Sequence, residues 1–341
     1  MMSAPMVSDA PTTTPRPAPP KFCVVVPCFN EEESIPVLVE ALTRALEAAT
    51  GGSWSILFVD DGSTDETARL IWDLHQKDGR FRGVRLSRNF GHQPAVATGV
   101  RQARGEVIGV VDCDLQDPVD VLIAMYRKVT EEHFDVCSGV RGKREDSPLW
   151  LSAAYLAFYR FMAVISEHHW TIDSGDFSVF NHRAHAAILR LPEAAPVMRG
   201  LRSWVGFRQT TLKYQRPPRK YGHSKYNLLR LCTLAISNMV NFSTVPLRIA
   251  TLAGLGMGLL TLFAALFFLL NRFFPFRPFG YDINAHAGTA TIVLYLSFIG
   301  SGIFFSLGIM GEYLGVIIKE VKHRPVTVIA ETTDKRESKE H

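Results

Sequence analysis

At 341 residues the chain has the length of about two folded units at roughly 150 residues each, which excludes a small disulfide-stapled scaffold. Its 37 Lys and Arg against 33 Asp and Glu leave a net charge of +4 spread along the chain, too little for a nucleic-acid binder. Residues 249–270 and 287–311 carry no charged side chain, and each exceeds the roughly 20 residues that cross about 30 Å of hydrocarbon, so a wholly soluble protein is excluded as well.

Residues 1–20 are rich in Pro, Thr and Ala, without the basic and apolar regions of a secretory signal, and read as a disordered tail. From residue 21 short apolar runs alternate with helical patterns: FCVVV (22–26), ILFV (56–59), VRL (84–86), VIGVVD (107–112) and DVCSG (135–139). Continuous β-branched runs separated by helices predict a mostly parallel sheet covered on both faces. The first helix is expected to start at Asn30 as N-cap with Glu33 three residues on, and the next at a Ser63/Glu66 capping box. A third is expected to open with Asp117 followed by Pro118 at the first helical position. Five scattered cysteines, Cys23, Cys28, Cys113, Cys137 and Cys232, contain no C-x-x-C pair and read as free, mostly buried thiols.

In such sheets ligands bind beyond the carboxyl ends of the strands, so the residues there carry the chemistry. Asp112-Cys113-Asp114 ends one strand, and two carboxylates one residue apart can serve one divalent cation, Mg²⁺ or Mn²⁺. Asp60-Asp61-Gly62-Ser63 follows a second strand and Pro27-Cys28-Phe29-Asn30-Glu31 a third. Any one of these acids taken alone is more simply a helix cap. Three polar clusters at three adjacent strand ends instead predict one crevice, with carboxylates for base and ribose hydroxyls and a metal for phosphates. There is no G-x-x-x-x-G-K-[ST] and no G-x-G-x-x-G after the first strand, which argues against an NTPase or a nicotinamide enzyme. His168 and His169 have no partners at ligand spacing and read as structural.

Past residue 145 the composition turns aromatic and apolar. Residues 148–166 and 226–247 fit either a span or a helix lying in the interface; the interface is preferred, because one more crossing would separate polar segments that the chemistry needs together. The spans are then 249–270 and 287–311, within a two-helix membrane unit over 248–318. Nine Lys and Arg flank them on the outer sides (Arg216, Arg219, Lys220, Lys225, Arg230, Arg248, Lys319, Lys322, Arg324) against Arg272 and Arg277 between them, which places the α/β unit, residues 21–225, in the cytoplasm. Gly254/Gly258 and Gly311/Gly315 are small-xxx-small pairs that let helices approach, and Glu312 is expected to pair with a neighbouring basic residue. In the tail 319–341, VTVIA (326–330) reads as a short strand able to extend a sheet, in a neighbouring subunit of a homo-oligomer for example.

VVPCFNEE (25–32), VDDGSTDET (59–67), LSRNFGHQPAVATG (86–99) and DCDLQDP (112–118) together resemble the family 2 glycosyltransferases of the polyprenyl-phosphate type. The likeness continues through GVRGKRED (139–146), DSGDF (173–177), GLRSWVGFRQ (200–209), YQRPPRKYGHSKY (214–226), FSTVPLR (242–248) and GIMGEYLG (308–315), and the two-span bactoprenol glucosyltransferase branch is nearest. The resemblance implies a GT-A fold in the inner membrane, with Mg²⁺ or Mn²⁺ as cofactor. It also implies inverting transfer of a sugar, glucose from UDP-glucose on the nearest branch, to a polyprenyl phosphate such as undecaprenyl phosphate. UDP-GlcNAc, UDP-galactose and GDP-mannose are the alternative donors, and a non-catalytic nucleotide-sugar sensor is the rival reading. By position Pro27, Phe29, Glu31 and Asp60 would hold the nucleoside, Asp112 would lie at ribose and sugar, and Asp114 and Gln116 would meet the metal. Asp176 matches the family's candidate catalytic carboxylate, and Ser174 stands where Thr is more usual. The Q-x-x-R-W signature of polymerising relatives is absent. Arg141, Arg144, Arg216, Arg219 and Lys225 are the counter-charges available for the acceptor phosphate.

Overall fold

A computed structural model describes residues 18–142, 174–191, 193, 197–215, 245–273 and 289–334. Among them the chain forms β1 (Phe22–Cys28), α1 (Ser34–Thr50), β2 (Trp54–Asp60), α2 (Thr67–Lys77), β3 (Phe81–Leu86), α3 (His92–Gln102), β4 (Val107–Val110) and α4 (Val119–Thr130). It continues with β5 (Val136–Arg141), β6 (Ser174–Asn181), α5 (His182–Leu189), α6 (Met198–Trp204), β7 (Gln209–Tyr214), α7 (Val245–Phe273), α8 (Thr289–Val321) and β8 (Ile329–Thr332).

The eight strands form one mixed, mostly parallel sheet in the order β7-β5-β6-β4-β1-β2-β3-β8. β1, β2, β3 and β4 are parallel, as are β5 and β7, while β6 runs antiparallel between β4 and β5, and β8 antiparallel to β3. Every residue of β1 and β2 is buried, as their unbroken apolar runs require of strands covered on both faces. Side chains alternate between two cores. Phe22, Val24 and Val26 pack with Leu38, Leu42, Ile71 and Leu122 of α1, α2 and α4. Cys23 and Val25 pack with Val96 and Val100 of α3, Ala184 and Ile188 of α5, and Leu201 of α6. The result is an α/β unit with its helices on both sides of the sheet.

The helix starts differ from expectation. α1 begins at Ser34, because Asn30 takes φ 54° and its side chain accepts Thr64 N–H (2.9 Å) instead of capping. Ser63 accepts Asn30 N–H (2.9 Å) and Glu66 donates its own N–H to Glu32 Oε2 (2.9 Å), so the two polar loops are tied to each other and α2 starts at Thr67, past the Ser63/Glu66 box. Asp117 also turns inward, and Pro118 is the residue before α4 rather than its first. In each case a hydrogen bond to a residue distant in the chain displaces the local cap.

Cys23, Cys28, Cys113 and Cys137 are free and buried; Cys232 lies outside the described residues. α7 and α8 run for 29 and 33 residues. Among the described residues one helix is long and apolar enough to cross a membrane, Tyr295–Val321, while Ala250–Phe263 is a shorter apolar stretch. The two helices meet at Gly302, where a Cβ would collide with the thioether of Met257, whereas Gly254, Gly258, Gly311 and Gly315 have open space beside them. The close approach therefore falls elsewhere than the small-xxx-small pairs. The segments 148–166 and 226–247 lie outside the described residues, apart from the first residues of α7.

The C-terminal strand is placed at 329–332 and pairs with β3 of its own chain: Ser87 donates to Val328 O (2.9 Å) and Arg82 pairs with Asp334 (2.6 Å). The tail strand, read from the sequence as able to extend a sheet, extends the sheet of its own chain. Because β8 starts opposite Leu86, the last residue of β3, the chain leaving α8 returns to the sheet at the carboxyl edge of its parallel strands.

Candidate active site

The loops after β1 and β2 are built as a pair. Glu31 N–H bonds Thr67 Oγ1 (2.9 Å), Ser34 donates to Glu31 Oε2 (2.6 Å), and Ser63 N–H bonds Asp60 Oδ1 (2.9 Å). Asp60 is fully buried at the end of β2, with Arg85 Nε 3.3 Å from its Oδ2. Gly62, at φ 72°, lies so close to the Arg88 backbone that a Cβ would stand 2.6 Å from the Arg88 carbonyl carbon. Asp61 accepts the N–H groups of Phe90 and Gly91 (2.7 and 2.8 Å) and so fixes the approach to α3. Burial raises its pKa, partly opposed by those two bonds. Pro27 is buried within β1, and Phe29 is 42% exposed, an apolar ring left at the rim.

Three elements then converge. β4 delivers Asp112, α3 begins with His92 and Gln93, and the antiparallel β6 brings Asp176 back to the same edge. His92 Nε2 lies 3.2 Å from Asp176 Oδ2 and 3.6 Å from Asp112 Oδ1, and Gln93 Nε2 donates to Asp176 Oδ2 (2.5 Å). Beneath them the buried Arg202 guanidinium donates to Gly175 O (2.8 Å), to Asp176 O (2.9 Å) and to Ser178 Oγ. Asp117 accepts Asp112 N–H (3.3 Å) and Tyr214 Oη–H (2.8 Å), anchoring the turn that carries the acids. Within that turn Leu115 takes φ 59°, and Gln116 N–H bonds Asp114 Oδ1 (3.1 Å).

The charges separate sharply. Burial raises the Asp112 carboxyl to about 6 against the pull of His92, with Asp117, Asp114 and Asp176 adding to the rise. Burial would raise Asp176 too, but the hydrogen bond and charge of His92, with Arg202 and Arg199, outweigh it and hold the group at about 2. Burial opposes charge on His92, yet Asp176, Asp112 and Asp114 lift it to about 8. Burial lowers Arg202 to about 10 against the attraction of Asp176. At neutral pH the site thus holds a His92 cation against an Asp176 anion, beside an acid-crowded Asp112.

This donor set fits a hard divalent cation. Among the described residues no three His, Cys, Asp or Glu side chains form a cage, but Mg²⁺ and Mn²⁺ need only one or two carboxylates when substrate phosphates and water supply the rest. Asp112 and Asp114 are carboxylates in a turn already crowded with negative charge, which a cation would relieve.

Asp60, Glu31, Asp112, Asp114, Gln116 and Asp176, anticipated from the sequence, all stand at the carboxyl edge of the parallel strands. Arg141 ends β5, and Arg144, Arg216, Arg219 and Lys225 lie outside the described residues. The roles of His92, Gln93, Asp117 and Arg202 were not anticipated. His92 and Gln93 sit within the LSRNFGHQPAVATG motif, and Arg202 within GLRSWVGFRQ, so a signal existed without a role attached.

The chain matches the family described as Glycosyl transferase family 2 over residues 23–189. It is 34% identical over 312 residues to a protein of Bacillus subtilis named uncharacterized glycosyltransferase YkcC, covering 91% of this chain and 93% of that one. It is 31% identical over 309 residues to the bactoprenol glucosyl transferase of Shigella phage SfV (91% and 98% covered) and to a prophage-derived bactoprenol glucosyl transferase of Shigella flexneri (91% and 97%).

Proposed function

This chain belongs to glycosyl transferase family 2, and on that basis we propose that it transfers one sugar, glucose from UDP-glucose, to the phosphate of a membrane polyprenyl phosphate such as undecaprenyl phosphate. The observation that carries the reading is the meeting of Asp112 and Asp176 across His92, at the same edge as Asp60 and Asp114. The bactoprenol glucosyl transferase relatives support the lipid acceptor and the choice of glucose.

The lipid phosphate oxygen attacks the anomeric carbon, a new C–O bond forms as the bond to the nucleoside diphosphate breaks, and configuration inverts. A phosphate monoester has its second pKa near about 6, so the nucleophile is already largely ionised at neutral pH and needs little help from a base. Asp176, held at about 2, is the wrong acid to collect a proton there; it orients the reacting groups and faces the positive charge that grows on the sugar. Asp114 and Gln116, with Asp112 beside them, would hold Mg²⁺ or Mn²⁺. That ion offsets charge on the departing diphosphate, an effect worth several kcal/mol. Pro27, Phe29, Glu31 and Asp60 are assigned to the nucleoside, and the lipid phosphate to Arg141, Arg144, Arg216, Arg219 and Lys225 on charge.

α8 and a second span at 249–270 anchor the site, with the catalytic unit on the cytoplasmic face of the inner membrane. The return of β8 at the carboxyl edge of the parallel strands supports an active edge turned toward the bilayer. The test is incubation of the full chain in membranes with radiolabelled UDP-glucose, or the alternative sugar nucleotides, and undecaprenyl phosphate. Label is expected in the organic phase, lost on chelation and restored by Mg²⁺ or Mn²⁺, with Asp114→Ala at least about a hundredfold slower. If no donor yields labelled lipid, the transfer reading fails and a sensor is left.

A further inference from the structure

We propose that Gln93 is the positioning residue of the Asp176 carboxylate and that with Arg202 it closes a clamp that dedicates one carboxylate oxygen to the protein and leaves the other to the reactants. The inference rests on the transfer reading above. Gln93 is the second residue of α3, and its two amide atoms point at two different elements. Its Nε2 donates to Asp176 Oδ2 (2.5 Å), while its Oε1 accepts the N–H of Met198 (3.2 Å), the first residue of α6. Four residues further along α6, Arg202 donates to the Gly175 and Asp176 carbonyls and to Ser178 Oγ, and Ser178 in turn donates to Asp176 O (2.8 Å). The ring runs from α6 through Arg202 to the Asp176 backbone, out along its side chain to Gln93, and back to α6.

Both partners of Gln93 dictate its amide orientation, because a carboxylate only accepts and a backbone N–H only donates. Glutamine alone among side chains of this length supplies a donor and an acceptor together: Glu can only accept when ionised, Lys can only donate, and Met does neither well. Asp176 Oδ2 is thereby committed to Gln93 and His92, whereas Asp176 Oδ1 is buried and takes no hydrogen bond from the described residues. Burying the Arg202 cation, with its two terminal nitrogens donating to backbone carbonyls and a hydroxyl and its Nε without a partner among the described residues, is costly, and the fixed start of β6 is what that cost sustains.

The test compares the full chain with Gln93→Glu and Gln93→Met in steady-state transfer to undecaprenyl phosphate between pH 5 and 8. A positioning role predicts kcat lower by about tenfold to a hundredfold, with donor and acceptor KM within about twofold. For Gln93→Glu the ratio to the unaltered chain recovers toward pH 5, where the introduced carboxyl is protonated and donates again. Gln93→Met shows no such recovery and melts within a few degrees of the unaltered chain; it carries the same kcat reading should the Gln93→Glu variant not fold. Unchanged kcat across the pH range, a raised KM at full kcat, or a loss that tracks the fraction folded would overturn the clamp. Absence of labelled lipid from the unaltered chain would overturn the transfer reading itself. Label made equally fast by the unaltered chain and both variants would overturn the clamp alone.

Discussion

His92 carries a charge because the acids around it, Asp176, Asp112 and Asp114, outweigh its burial, and that makes its contribution depend on pH. Its pKa of about 8 lies above the ordinary value of 6.5, so the stabilisation is fully present below pH 6.5 and is lost as pH rises through 8. At about 1.4 kcal/mol per tenfold, and allowing for the screening of a side chain 47% exposed, the interaction contributes about 1 kcal/mol. His92→Gln is therefore expected to melt below the unaltered chain at pH 6 and level with it at pH 9; a gap that persisted at pH 9 would contradict the assignment. Asp112 and Asp114 were legible from residue types and spacing, because two carboxylates at a strand end mean something by themselves. His92 was not, since a lone histidine after a glycine states no partner, and the partner here lies 84 residues away.

α3 shows why an element's place matters more than its propensity. In an open helix Gly→Ala gains about 1 kcal/mol. At Gly99 an added Cβ collides with Val25 Cγ1 and stands 2.8 Å from Val59 Cγ2, both in buried parallel strands that have nowhere to move. Overpacking of this kind costs about 1–3 kcal/mol, so the clash wins. Gly99→Ala is expected to lower the melting temperature and, by tilting the helix that starts with His92 and Gln93, to slow transfer; a stabilised Gly99→Ala would show the contact to be loose. The strands β1 to β5 were readable because β-branched runs bounded by turn residues announce buried strands. The helix starts were misplaced by a few residues, because Asn30, Ser63 and Glu66 are good local caps that bonded instead to another loop. β6 and β7 were not read as strands, since SGDFSVFN and QTTLKY lack a continuous apolar run.

Across the full chain the C-terminal strand ties the end of α8 to the catalytic sheet. Besides pairing with β3 it brings Thr327 Oγ1 to 2.6 Å from Thr98 of α3, and Arg82 to Asp334. Truncation after Arg324 removes these bonds and uncovers the β3 edge, a ready template for another chain. The truncated protein is expected to melt earlier and to form larger species by size exclusion in detergent; an unchanged monodisperse profile would show the strand to be dispensable. The parallel strands, the two uncharged runs and the family were all readable from residue order alone, because each is written in contiguous residues whose composition answers to burial or lipid. That Asp176 faces His92, that Arg202 lies beneath it, and that the last strand closes its own sheet emerged only once the chain was folded. Those placements follow from an antiparallel strand inserted between β4 and β5 and from long-range hydrogen bonds, and no local pattern encodes which distant segment will satisfy a buried polar group.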